Sequence, residues 1–176
     1  WIPDSYLLNA SKNLSIDDFK DMDEVYAGID LAATSDLTCV SYMGIKGDKT
    51  YFKTTYYLPE AALSEKRNRE QYGEWQRLGL LTITPGNVTD YDYILNDLMD
   101  FSKEVYISAV AYDSWNSTQF VINATEKGLN MEPFAQNLGN FNKPTKEMER
   151  LILSGRAVID NNVITRHCFR NVVMAR

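Results

Sequence analysis

The chain has few residues of the types that build soft-metal centres or disulfide frameworks, with two cysteines and one histidine among 176 residues. Cys39 lies in an apolar run and Cys168 near the end of the sequence, a spacing that fits neither a zinc site nor a disulfide-rich module. We therefore expect reduced thiols, as in a cytoplasm. The single His167 has no neighbouring nucleophile or second soft ligand, which favours a surface or packing role over general-base catalysis.

Long apolar runs and glycine-rich phosphate loops are absent as well. No run approaches the roughly 20 apolar residues that span a bilayer, and no charged-then-apolar signal sequence opens the chain. These absences predict a soluble protein with no membrane partner. The missing phosphate loop excludes nucleotide hydrolysis by the P-loop route in this chain. With 44% hydrophobic residues the chain can bury one sizeable core, which favours a single domain.

Acidic residues outnumber basic ones, with 24 Asp and Glu against 18 Lys and Arg, so the formal net charge is −6. Contacts to nucleic-acid phosphates are made mostly by Lys and Arg, so this balance argues against a general nucleic-acid binder. A metal-dependent nuclease is partly exempt, since bound cations neutralise its acidic centre. An acidic domain without a nucleic-acid partner remains the alternative on charge alone.

The order of apolar and polar runs predicts the secondary structure. Residues 1–24 lack sustained periodicity and end in an acidic stretch, which indicates an N-terminal tail or linker before a domain over 25–176. Strands are predicted at 25–31, 37–45 and 50–58, joined by short turns as an antiparallel meander. A short apolar run follows at 80–84, further strands are predicted at 107–113 and near 131–135, and a final segment extends from 158 onward. Helices are predicted at 59–78, after a cap at Asp90, at about 116–127, and from the Lys143–Lys146 segment to 154.

Three antiparallel strands followed by alternating helices and strands indicate an α/β fold, a mixed sheet with helices on both faces. In such a sheet the first strand is central, and the strand after the long crossover lies parallel beside it. This arrangement is that of the ribonuclease H-like fold. It would place Asp30 and Asp113, each at the end of an apolar strand, side by side where ligands gather.

Asp30 and Asp113 are the candidate catalytic and metal-binding residues. Two-metal phosphodiester cleavage needs carboxylates that hold ions about 3.5–4 Å apart, and rigid neighbouring strands can supply them. Each aspartate also fits a structural role, as a turn or helix cap. Asp36 is a third candidate, which would ligate the metal directly, act through water, or simply begin the second strand.

A polar loop before the helix predicted near residue 144 is a candidate DNA contact. Gln136, Lys143 and Lys146 are the residues assigned to it, because amide and ammonium groups can hold a phosphate backbone without reading sequence. An ordinary solvated connection fits the same residues. We expect three large aromatic residues to lie in the core rather than to stack on bases: Tyr72, Trp75 and Trp115.

Several short segments, in this order and spacing, carry a family resemblance. They are GIDLA (28–32), DLT (36–38), YGEW (72–75), GLL (79–81), TPG (84–86), DY (90–91), AYD (111–113), FAQ (134–136), PTKE (144–147) and NNV (161–163). Together they resemble the C-terminal nuclease domain of tailed-bacteriophage terminase large subunits, from about residue 26 onward.

The resemblance implies a DNA-packaging motor in the cytoplasm of a bacterial host. The family's ATPase half pumps double-stranded DNA into a procapsid, and its nuclease half cuts concatemeric DNA with Mg²⁺ or Mn²⁺. Implied partners are double-stranded DNA, the ATPase domain, the small terminase subunit and the portal protein. Of the family's three metal-binding acids, two match Asp30 and Asp113. The third lies beyond the segment that corresponds to residues 171–175, so we expect a domain truncated at its C-terminus and weakly active or inactive.

Two other functions fit the same pattern. In the first, the chain is a catalytically silent docking domain of the packaging motor, and its carboxylates are structural caps. In the second, it is another ribonuclease H-like enzyme, such as a Holliday-junction resolvase or a transposase. The segment from Trp75 to Asp90 favours the terminase.

Overall fold

The fold is built on a mixed β-sheet, seen here in a computed structural model that describes residues 1–65, 68–115 and 117–174. The strands of these residues are β1 (Ser11–Lys12), β2 (Glu24–Asp30), β3 (Thr38–Lys46), β4 (Lys49–Pro59), β5 (Leu81–Thr84), β6 (Val110–Tyr112), β7 (Met131–Pro133) and β8 (Ala157–Asp160). Their α-helices are α1 (Asp4–Ala10), α2 (Arg69–Arg77), α3 (Tyr91–Glu104), α4 (Thr118–Glu126), α5 (Leu138–Leu153) and α6 (Val163–Arg170).

The strand order across the sheet is β1-β8-β4-β3-β2-β6-β7, and β5 pairs with the other half of the long strand β4. Strands β2, β3 and β4 form the predicted antiparallel meander, and every other pairing is parallel. Strand β2 is therefore central, between β3 and β6. The predicted α/β architecture with a ribonuclease H-like arrangement is confirmed.

Helices cover both faces of the sheet, as predicted. Strand β2 alternates buried and exposed positions along its length, so that one set of side chains points to each face. One face packs against α3 and α4, through residues such as Ile29, Leu98 and Phe120. The opposite face packs near β4 and β5 against α2 and α6, through residues such as Trp75 and Ile164.

The predicted cap of α3 is confirmed, but α5 begins earlier than expected. Asp90 accepts hydrogen bonds from the backbone N–H groups of Asp92 and Tyr93. Helix α5 was predicted to start near Pro144, yet it starts at Leu138, and the Asn137 side chain accepts from the N–H of Asn140. The Asn137 cap is the start signal that the sequence-based prediction did not use. Pro144 lies inside the helix and has no backbone N–H, so one hydrogen bond of the helix is missing there. The loop predicted before residue 143 is thus mostly helix.

Two other helix boundaries differ from the prediction. The helix expected over 59–78 is a short 3₁₀ helix at Glu60–Ser64 followed by α2; residues 66 and 67 lie outside the described residues. The helix expected from Asn116 is α4, which begins at Thr118, and Asn116 itself lies outside the described residues.

The N-terminal residues differ from the tail predicted for 1–24. Helix α1 packs beside α5 and β8, and β1 adds to the sheet edge by pairing with β8. Leu7, Leu14 and Phe19 are buried. Each element is too short to show a periodic pattern, so its apolar residues acquire partners only in the folded chain. None of the helices among the described residues has the length and hydrophobicity that a bilayer crossing requires.

Candidate metal centre

Two carboxylates lie at the same end of two neighbouring parallel strands. Asp30 is the last residue of β2, and Asp113 follows the last residue of β6. The strands are in register at Ile29 and Tyr112, so the next residue along each strand is the aspartate. Neighbouring strands lie about 4.7–4.9 Å apart, which places the two aspartate backbones within reach of a common ion.

Both aspartates line two overlapping cavities: one of about 320 Å³, which extends along Cys39 and Phe141, and a smaller one of about 200 Å³. The smaller one, hereafter the cavity, is also lined by Ile29, Leu31, Tyr112, Trp115 and Gln136. Asp30 is exposed and Asp113 is half-buried, so both carboxylates are reached by solvent. The structure thus brings the two predicted residues together at one open sheet edge.

Each carboxylate is oriented by one neutral hydrogen-bond donor. The Gln136 Nε2 donates to Asp30 Oδ1 at 3.2 Å. The backbone N–H of Trp115 donates to Asp113 Oδ1 at 3.1 Å. Over the described ranges, none of the ion pairs includes Asp30 or Asp113. Two negative charges therefore face one cavity, and no Lys or Arg of the described residues pairs with either.

The donor set fits a hard divalent cation. Carboxylate oxygens are the ligands that Mg²⁺ and similar ions prefer, and such ions keep several waters when few protein ligands are present. Cys39, the β3 residue that pairs with Asp30 of β2, does not add a soft ligand. Burial raises the pKa of its thiol to about 12, and the charge of Asp30 adds to the effect. The thiol stays protonated near neutral pH, whereas metal binding needs the thiolate.

Asp36 lies outside this cavity. It is exposed in the loop between β2 and β3, and its charge acts on α2, where burial mainly and Asp36 in part raise the pKa of Tyr72. Among residues 1–65, 68–115 and 117–174, no three Asp, Glu, His or Cys side chains form a group suited to a metal. The metal role predicted for Asp36 stays a prediction.

The predicted DNA contacts separate into two places. Gln136 lines the cavity and contacts Asp30, as described above. Lys143 and Lys146 are exposed on α5, outside the cavity lining. Lys146 borders a neighbouring groove with apolar side chains such as Leu138 and Phe141. Contact of these three residues with DNA stays a prediction.

Trp115 is the cavity residue that the sequence pattern misjudged. Tyr72 and Trp75 are buried, as predicted, but Trp115 is 79% exposed. The prediction of a core position is therefore wrong for Trp115. It lies in the connection between β6 and α4, so no apolar stripe of a helix or strand directs it into the core. Its place two residues after a strand-end aspartate was the available signal.

Comparison with known proteins identifies the family. A family model described as "Terminase large subunit, endonuclease domain" matches residues 14–176. The large subunit of the terminase of Enterobacteria phage HK97 is 30% identical over 156 residues, which is 86% of this chain and 31% of the relative. The crystal structure of the HK97 large terminase superposes with a TM-score of 0.77 at 27% identity, over 92% of this chain and 34% of that one.

A more distant structure shares the fold. The large terminase nuclease of the thermophilic phage G20c, solved with bound zinc, has a TM-score of 0.56 at 12% identity over 87% of this chain and 72% of that one. The chain spans about a third of the length of its HK97 relative. From the family model, the HK97 relative and the shared fold together, we conclude that the chain belongs to the family of terminase large subunit endonuclease domains.

Proposed function

We propose that this chain cuts double-stranded DNA by metal-dependent hydrolysis of phosphodiester bonds, as the nuclease part of a genome-packaging terminase. The observation that carries the proposal is the pair of carboxylates, Asp30 and Asp113, that face one solvent-reached cavity without a protein cation. Such a pair repels itself unless an external cation is bound.

In this proposal Asp30 and Asp113 hold the metal through the oxygens that Gln136 and the Trp115 N–H leave free. A divalent ion at this place would activate the attacking water and stabilise the leaving oxygen. The two donors would orient each carboxylate before an ion binds. This favours binding because less conformational entropy is then lost. Mg²⁺ or Mn²⁺ is the expected ion, in keeping with the oxygen donors. The G20c nuclease has been solved with zinc and with magnesium, which supports a divalent ion in this fold.

The number of ions follows from charge. Two carboxylates contribute −2, against +4 for two divalent cations, and no third acid of the described residues joins them. In the absence of DNA this pair would hold one ion, and a second would need further anionic ligands, among which a DNA phosphate is one. A two-metal reaction in the complete active site remains compatible with this order of binding.

The packaging role rests on the relatives. The HK97 protein is a terminase large subunit, and we propose the same assembly here: an ATPase domain, the small subunit and the portal as partners, and concatemeric DNA as substrate. Packaging then takes place in the cytoplasm of the bacterial host. Lys143 and Lys146 would hold the DNA backbone from α5, beside the cavity.

The test is plasmid cleavage by the full-length protein in Mn²⁺. Asp30→Asn and Asp113→Asn each remove one charge while keeping shape. We expect each to reduce cleavage by more than about a hundredfold, since loss of a residue that merely hydrogen-bonds to a metal ligand already costs about 10–100-fold. Asp48→Asn is the matched control, because Asp48 is an exposed carboxylate in the hairpin turn at the opposite end of the sheet.

The comparison has two informative outcomes. Cleavage lost in the Asp30 and Asp113 variants but retained in the Asp48 variant, with unchanged melting temperatures, supports the proposal. Mn²⁺-dependent cleavage that persists in both cavity variants would contradict the assignment of these residues.

A further inference from the structure

Two aromatic side chains near β6 are almost fully exposed, and they lie at opposite ends of the strand. Tyr106, before β6, is 82% exposed, and Trp115, after β6, is 79% exposed. Single exposed aromatics are common on protein surfaces. Trp115 differs because it lines the cavity that contains Asp30 and Asp113, whereas Tyr106 lines none of the cavities described above.

The backbone ties Trp115 to the metal centre. Its N–H donates to the same Asp113 carboxylate that we propose as a metal ligand. This hydrogen bond fixes the backbone of Trp115, and with it the attachment point of the indole ring, relative to the Asp113 carboxylate. Among the described aromatic pairs, none includes Trp115, so its indole face is free to stack on a ligand.

The cavity lacks the usual means of binding DNA. Its lining includes neither Lys nor Arg, and the net charge of the whole chain is −6. Lys143 and Lys146 would act on the backbone from α5, outside the cavity lining. Within the cavity, affinity would come from a bound cation and from contacts that do not depend on charge. Stacking of a nucleobase on an aromatic ring is the strongest such contact, and it tolerates any sequence because every base has a π-face.

A phosphate bound through a cation at Asp30 and Asp113 would bring its adjoining nucleoside close to Trp115, because Trp115 lines the same cavity. In a fully paired duplex the base faces are covered by their neighbours, so the Trp115 ring reaches a base face only where the duplex is locally opened.

We propose that Trp115 stacks on a nucleobase next to the phosphate held at Asp30 and Asp113, and that this stacking opens the duplex locally at the cut. The inference rests on the proposed nuclease function and adds a positioning residue and a preferred substrate state to it. Trp115 acts on the position of the DNA, not on the bond that breaks.

The first test uses the full-length protein with Mn²⁺ and two oligonucleotide duplexes that share one strand, one fully paired and one with a short unpaired bubble. Stacking on one base is worth about tenfold or more in rate or affinity. We expect Trp115→Ala to cut the paired duplex about tenfold more slowly. At saturating DNA every bubble complex is already open, so the rate of Trp115→Ala on the bubble should stay within about threefold of the wild type even though the stacking contact is lost. Trp115→Phe, which keeps a ring, should recover most of the rate.

The matched control is Tyr106→Ala, which removes an equally exposed ring from the other end of β6. It should leave both rates unchanged. Equal loss on the paired and the bubbled duplex in Trp115→Ala would overturn the proposal, since a general structural defect does not distinguish the two substrates.

A second test does not need cleavage. The indole fluorescence of Trp115, taken as the difference between wild type and Trp115→Phe, should be quenched by bubbled DNA in Ca²⁺. If bubbled DNA quenches the fluorescence but no cleavage occurs in Mn²⁺, the stacking proposal stands and the proposed nuclease function is rejected. If cleavage occurs without quenching, the nuclease function stands and the stacking proposal is rejected.

Discussion

Three aspartates at strand ends show how one local pattern serves two purposes. Asp160 ends β8 as Asp30 ends β2, and Asp113 directly follows β6. Asp160 Oδ2 accepts from Lys53 Nζ at 3.0 Å, and its Oδ1 accepts from the N–H of Leu14 at 2.9 Å. Within the described part of the chain, the donors to the Asp30 and Asp113 carboxylates are all neutral.

The difference lies in the neighbours, not in the strand ends. The Asp160 side chain is 14% exposed and is neutralised within the protein, so it joins β8, β4 and the chain after β1. The carboxylates in the cavity keep their charge for an external partner. A strand-end carboxylate is therefore a functional candidate when the fold leaves it without a cation, and a structural group when the fold supplies one.

The largest effect on stability is expected for Asp160→Asn. Loss of this charge leaves Lys53 half-buried without its partner, so we expect the free energy of unfolding to fall by about 2 kcal/mol. Asp30→Asn should change it by less than about 0.5 kcal/mol, since that carboxylate is exposed and unpaired. Urea denaturation of both variants measures the contrast.

Two results would remove this contrast. Equal destabilisation by the two substitutions would mean that Asp30 is structural as well. Alternatively, Asp160→Asn without any loss would mean that the Lys53 pair contributes nothing net. Glu149→Gln, a half-buried carboxylate of α5 outside the described ion pairs, serves as a control for charge removal in general.

Metal binding should stabilise the wild type and not the cavity variants. A ligand that binds only the native state adds RT ln(1 + [L]/Kd), which is about 1.4 kcal/mol at ten times Kd. For a chain of this size that raises the melting temperature by about 4 °C. We expect this shift with Mn²⁺ in the wild type, none in the double variant Asp30→Asn/Asp113→Asn, and a full shift in Asp48→Asn. An equal shift in the double variant would locate the ion elsewhere.

The lysines extend the comparison to cations. Lys53 is bound to Asp160, whereas Lys143 and Lys146 take part in none of the ion pairs found over the described ranges. Each lysine that contacts a phosphate releases about one counterion, so Lys143→Ala/Lys146→Ala should weaken DNA binding a few-fold and lower the salt slope by about two. Fluorescence anisotropy over a salt series measures both. An unchanged slope would place the DNA away from this part of α5.

The smallest effect is expected for Asp36→Asn. Because Asp36 lies outside the cavity lining, we expect the Mn²⁺-induced rise in melting temperature to equal that of the wild type. A rise reduced by half or more would restore Asp36 as a ligand, directly or through water. Asp92→Asn, an exposed carboxylate on α3, provides the reference for removing a distant charge.

Much of the fold was predictable because its signals are local. The alternation in β2 and β3, the turn between β3 and β4, and the cap at Asp90 each depend on a few neighbouring residues. The start of α5 and the fold of residues 1–24 were not predictable in this way. The first depends on Asn137, whose cap pattern competes with a proline as start signal, and the second on partners near the other end of the chain.

The candidate site divides along the same line. Two strands ending in an aspartate could be recognised from the sequence, together with the parallel crossover that sets them side by side. The contact of Gln136 with Asp30, across 106 residues, could not be. Nor could the exposure of Trp115, since a large aromatic residue is more often buried than exposed.

The sequence by itself determined the three-stranded meander, the strand that ends at Asp113, and the aspartates at the strand ends, because hydrophobic period and turn chemistry act over a few residues. Only the tertiary structure decided which aspartate forms an ion pair within the protein and which is left to bind an external cation. Lys53 lies 107 residues before Asp160 in the chain, and electrostatic pairing depends on distance in space. The same local pattern therefore gives a structural ion pair at β8 and a candidate metal centre at β2 and β6.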